Sequence, residues 1–173
     1  MMNLSVLRNG SQFKKTGIHW MFAAICFVFA GNVIGADFPA TAGSLGAIPD
    51  NDCDGAGRQI QFVVSGLSAA PTNVRVSFTA THTYVGDLDA FLLAPTGTPF
   101  HRIFEFTNPL QDQFGDSSNL GGAYSFFDAA SGNWWAAATA AAGSDDIVAP
   151  GSYRTASDTG ANTSMNPVFA AVS

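Results

Sequence analysis

The 173-residue chain is long enough for one modest domain. Its formal charge of −6 excludes the basic footprint of a nucleic-acid binder and of a protein held to anionic membrane by charge. Two cysteines, at positions 26 and 53, exclude a disulfide-dense scaffold.

Met1 to Lys15 is basic through Arg8, Lys14 and Lys15. Ile18 to Ile34 is nearly all apolar, and Gly35-Ala36 offers small residues before Asp37-Phe38-Pro39. A basic start, an apolar middle and a small-residue exit describe a signal peptide over residues 1–36, so the remainder is expected to be secreted, extracellular or periplasmic, with no membrane attachment after cleavage. The apolar run is long, which leaves an uncleaved amino-terminal anchor as the alternative. Without the leader, four arginines face thirteen acids, a formal charge of −9 that favours cations. Cys26 goes with the leader, so Cys53 is free or paired with another molecule.

Residues 37–46 read as a linker, and residues 47–173 as the folded part. Asp50-Asn51-Asp52-Cys53-Asp54-Gly55 crowds three carboxylates into five residues and reads as a solvated turn or a Ca²⁺ loop. It is not an EF-hand, because Gln61 stands where the terminal Glu is required. Ile60, Phe62 and Val64 then alternate with Gln59, Gln61 and Val63, and Val74, Val76, Phe78 and Ala80 with Arg75, Ser77, Thr79 and Thr81, predicting two strands with one dry face each.

From His82 to Phe106 an apolar run, Leu88 to Ala94, is stopped by Pro95-Thr-Gly97-Thr-Pro99 and followed by an aromatic-rich run, predicting a hairpin. Its first strand is apolar on both faces, which suits an internal strand of a sandwich. Thr107 to Gly122 is rich in turn residues, and Ala123–Phe127 is a short strand ending at Asp128. Trp134 to Ala142 is a two-turn helix by propensity. Tyr153 and its neighbours form another short strand.

The chemistry-bearing residues are few. There is no Gly-x-Ser-x-Gly elbow and no His-Glu-x-x-His. Of the two histidines beyond the leader, His82 is expected to fix a strand-to-loop corner and His101 to be a surface strand residue. Asp87 and Asp89, two apart on a strand, would share a face, and Gly86 would let backbone carbonyls approach a ligand. Such hard oxygens suit Ca²⁺, with Asp116 and Asp128 as further ligands from other loops. The alternative is that these acids cap backbone amides and need no metal. Trp134-Trp135 invites glycan stacking, against the simpler expectation that at least one indole is packed.

His82-Thr-Tyr-Val-Gly86-Asp87-Leu with Ala94-Pro95-Thr-Gly97-Thr behind it, Ala47-Ile-Pro-Asp50-Asn-Asp52 upstream, and Phe127-Asp128-Ala-Ala and Pro150-Gly-Ser-Tyr153-Arg154 downstream carry a resemblance. Over roughly residues 47–155 the chain resembles the P domain, or Homo B domain, of kexin-like and furin-like proprotein convertases and of bacterial subtilisin-like proteases. The resemblance implies an all-β, jelly-roll-like (galactose-binding-like) sandwich and a non-catalytic role in stabilising or regulating a subtilisin-like protease domain or another secreted or cell-surface protein. It also implies loop where propensity predicts the helix after Asn133. Nothing here matches that family's closing strands, so the chain is expected to lack its last strands and to be a fragment, in one reading of a larger secreted serine endopeptidase. The remaining alternative is a glycan- or cell-surface-binding β-sandwich module.

Overall fold

The computed structural model describes residues 2–8, 35–48, 57–141 and 143–172. The acid-rich turn at 50–55 with Cys53, and residues 9–34 of the expected leader, lie outside the described residues. The chain is β-rich, with eight strands and two short α-helices among the described residues.

In chain order the strands are β1 (Met2–Arg8), β2 (Arg58–Phe62), β3 (Arg75–His82), β4 (Leu88–Leu93), β5 (Phe100–Phe104), β6 (Leu120–Phe127), β7 (Gly132–Asn133) and β8 (Gly151–Arg154). The helices are α1 (Trp134–Ala141) and α2 (Asn166–Phe169). One sheet has the order β2-β1-β4-β5 and is antiparallel throughout. The other, β3-β6-β8-β7, is mixed: β6 pairs antiparallel with β3 and parallel with β8, which pairs parallel with β7. None of the described helices is long and apolar enough to cross a membrane.

Period-two alternation decides which residues enter the core. Along β3, Val76, Phe78, Ala80 and His82 are buried while their neighbours are partly or fully exposed. β6 answers with Leu120, Tyr124 and Phe126, and β4 with Leu88, Ala90 and Leu92. All of these but His82 belong to one apolar cluster shared by both sheets, and Phe104 of the first sheet meets Phe126 of the second with ring centroids 5.6 Å apart.

β4 is internal, as its double apolar character predicts, flanked by β1 and β5. Its outer face, Phe91 and Leu93, is half-covered rather than buried, with Arg102 over the Phe91 ring. The hairpin to β5 turns at Ala94–Gly97, where the Gly97 N–H bonds the Ala94 carbonyl at 2.9 Å. Gly97 has φ of 83°, a conformation open to glycine and strained for side-chain-bearing residues.

After Asn133 propensity prevails and the loop implied by the resemblance is corrected: α1 forms over Trp134–Ala141. The Asn133 side chain accepts the Ala136 N–H at 2.7 Å and so caps the first turn. The capped helix turns Trp134 inward, where it stacks on Phe104 and meets Tyr124, Phe126 and Tyr153 edge-on.

Candidate functional site

The stretch from His82 to Asp89 is a corner, and the loop from Phe106 to Asn119 is fastened to it. Tyr84 takes a left-handed conformation, φ 74°, and Val85–Asp87 forms one 3-10 turn before β4 begins. Val85 and Gly86 donate their amides to the carbonyls of Ser118 and Asp116, at 2.8 and 2.9 Å. The Tyr84 N–H reaches the Asn119 side-chain oxygen, and the Phe106 N–H the Asp89 carboxylate at 2.7 Å. Thr107, fully buried, accepts the Asp116 N–H on its carbonyl and the Trp134 indole N–H on its hydroxyl. Loop, corner and aromatic core are thus joined by five backbone amides and one indole.

Gly86 makes this docking possible. A Cβ there would stand 2.5 Å from the Asp116 backbone nitrogen and 2.8 Å from Gly115. The sequence suggests that Gly86 opens the backbone to a ligand; the close approach is instead made by the chain's own loop.

The expected acids stand apart. Asp87 is buried in the 3-10 turn and so does not share a strand face with Asp89, which lies on the outer face of β4. Asp116 is buried and accepts both the amide and the hydroxyl of Ser118. Asp128 receives the N–H groups of Met165 and Asn166 at 2.7 and 3.1 Å, holding the start of α2. The sequence did not distinguish Asp112, whose carboxylate gathers the amides of Phe114 and Gly115 within its own loop. Among the described residues no three His, Cys, Asp or Glu side chains, Asp87, Asp89, Asp116 and Asp128 included, gather to hold a metal ion. Asp89, Asp116 and Asp128, with Asp112, satisfy backbone amides.

Asp128→Ala is accordingly expected to lower folding stability by about 1–2 kcal/mol, by the same amount in Ca²⁺ and in chelator, as read from denaturant midpoints. A metal ligand would lose its contribution only in the presence of the ion.

A shallow cleft of about 140 Å³ lies beside the corner, lined by Tyr84, Leu110, Asp112, Asp116 and Thr139 among others. It is smaller than the ~300–1,000 Å³ usual for small-molecule sites. Burial first, then the charges of Asp112, Asp87 and Asp116, pushes the Tyr84 hydroxyl above its ordinary range. Asp112 and Asp116 thus stand with Tyr84 in the wall of the cleft.

Of the other expected site residues, Trp134 is fully buried and cannot stack on a sugar, which corrects its assignment as a glycan-facing residue. Trp135 is half-buried, its indole nitrogen is enclosed without a hydrogen-bond partner among the described residues, and its ring lies against Gly160. His82 is buried at the end of β3, at the corner where the sequence places it.

His101, expected at the surface of its strand, is half-buried. Its Nε2 lies 3.0 Å from the Thr155 hydroxyl and 3.2 Å from that of Thr163, and the two hydroxyls are 2.7 Å apart. This triangle ties β5 to the segment beyond β8. It is invisible in sequence because His101 stands more than fifty residues from both threonines.

Burial lowers the His101 pKa below its ordinary 6.5, with Asp128 opposing the shift. The folded chain then binds a proton less readily than the unfolded one. The contribution to stability is complete above pH 6.5 and is lost as pH falls from there through the lowered folded-state value. Asp89 and Glu105 act oppositely: burial raises both, so their contribution is present below 3.8 and 4.5 respectively and lost as pH rises. A denaturant midpoint that falls below about pH 6.5, with the fall removed in His101→Gln, is the expected profile.

No family model matches this chain, and no curated protein or solved structure is significantly similar to it.

Proposed function

We propose that this chain is an exported, non-catalytic accessory domain of the P-domain type, with a jelly-roll-like sandwich, that stabilises or regulates an associated subtilisin-like serine protease. The observation that carries the reading is the corner itself. The residues bearing the resemblance, His82 to Asp87 and Pro95 to Gly97, are those on which local geometry depends. They supply a buried strand end, a left-handed tyrosine, a glycine in backbone contact, a buried aspartate and the hairpin turn. A likeness concentrated in such positions is a likeness of framework, and the function that belongs to a framework is support of a neighbour. The reading needs no metal and no sugar.

Co-secretion of the full chain with a subtilisin-like protease from the same organism tests it. Co-elution of the two, with a several-fold longer half-life of protease activity on heating, is expected. Separate elution with an unchanged half-life would refute the reading.

A further inference from the structure

The first sheet draws its second strand from an unexpected part of the chain. β1 lies between β2 and β4 and pairs antiparallel with both, yet residues 1–36 have the succession of an export leader. One segment cannot hold both roles at once. A strand bonded along both edges inside a sheet is not free to enter a translocation channel, and its removal leaves a place behind.

That place has defined dimensions. Without β1 the inner edges of β2 and β4 present rows of N–H and C=O groups across two strand spacings, about 10 Å. One strand fits, and β2 and β4 are too far apart to pair directly. The outer edges are otherwise engaged: Ala40 and Thr41 meet β2 at Phe62 and Gln61, and β5 covers β4. Backbone groups left unpaired at the centre of a sheet are costly where they are buried, and where they are wetted they form an open edge ready to pair with another strand.

The geometry points to this slot as a strand-accepting site that, in the leader-free chain, takes an extended segment of a second, different polypeptide, antiparallel to both neighbours. The segment has about seven residues, no proline and apolar side chains at alternate places. The register gives the places. Position 4 stands opposite Ile60 and Leu92, and position 6 opposite Arg58 and Ala90. Ile60, Leu92 and Ala90 are core residues, so an occupant needs apolar side chains at these two places, where this chain carries Leu4 and Val6. Among the described residues a second copy of the leader-free chain has no spare strand to offer, since each of β2 to β8 is already paired within a sheet. The inference rests on the export reading for the vacancy and on the accessory-domain reading for a protein partner.

The test uses the full chain with a specific protease site inserted after Lys15, cut after folding. The probe is a fluorescent peptide of residues 2–8, with a Leu4→Pro, Val6→Pro version as control. The cut chain is expected to retain its own segment on gel filtration and to exchange it for the labelled peptide saturably. The proline peptide should bind at least about tenfold more weakly, because it lacks ladder hydrogen bonds. Release of the segment on cutting with no fall in melting temperature, or equal binding of both peptides, overturns the proposal. Amino-terminal sequencing of the exported product separates the premises. A start near Asp37 supports the vacancy. A product that keeps Met2 overturns the vacancy and the leader reading, and exchange in the cut chain still decides whether the slot accepts strands.

Discussion

Replacing Gly86 by alanine is expected to lower folding stability by about 3 kcal/mol, at the upper end of what one added methyl group usually does. The added carbon would stand 2.5 Å from the Asp116 nitrogen, a backbone atom that cannot rotate away. For the methyl to fit, the Asp116 segment must retreat. That lengthens the Gly86-to-Asp116 bond of 2.9 Å and disturbs the Asp116-to-Thr107 bond of 2.7 Å behind it. The strain therefore spreads to Thr107 and, through its hydroxyl, to Trp134. Gly43→Ala is the control: nothing lies within 4 Å of its added carbon, and a change within about 0.5 kcal/mol is expected. Denaturant midpoints of both variants at unchanged slope would measure the difference.

Trp134→Ala is expected to cost about 3–5 kcal/mol, the range for a large buried aromatic. Its ring touches Phe104 at 4.9 Å, Phe126 at 5.3 Å and Tyr153 at 5.4 Å, so removal opens a cavity among groups held by both sheets. Trp134→Phe refills part of that volume but leaves the buried Thr107 hydroxyl without its donor, and a loss of about 1–2 kcal/mol is expected. Trp135→Ala, at a half-buried position, should cost less than either. If Trp134→Ala abolished binding to a polysaccharide while leaving the melting temperature unchanged, Trp134 would have to face solvent.

The sequence discloses the strands well and the fastening of the loops poorly. β3 and β4 are legible because alternation is local: Val76, Phe78 and Ala80, like Leu88, Ala90 and Leu92, need only their own spacing to declare a dry face. α1 is legible from alanine propensity. The fate of the carboxylates is not. Asp89, Asp112, Asp116 and Asp128 look alike in sequence, and what distinguishes them is which amide the folded chain brings within reach, such as Phe106 for Asp89 and Met165 for Asp128. The same holds for Gly86, whose reason for being glycine is a loop thirty residues away. β1 was hidden for a different reason: the composition of residues 1–36 signals export, and pairing with β2 and β4 leaves no mark in Met2–Arg8 beyond its alternation.

Backbone amide exchange at Val85, Gly86 and Asp116 addresses the claim on which the functional reading stands, that the motif-bearing corner is a framework clasping the 106–119 loop. The three amides are expected to exchange among the slowest in the chain, alongside the β3–β6 ladder, and to be released together in Gly86→Ala. Exchange as fast as in an exposed turn, or protection that survives the substitution, would contradict the account.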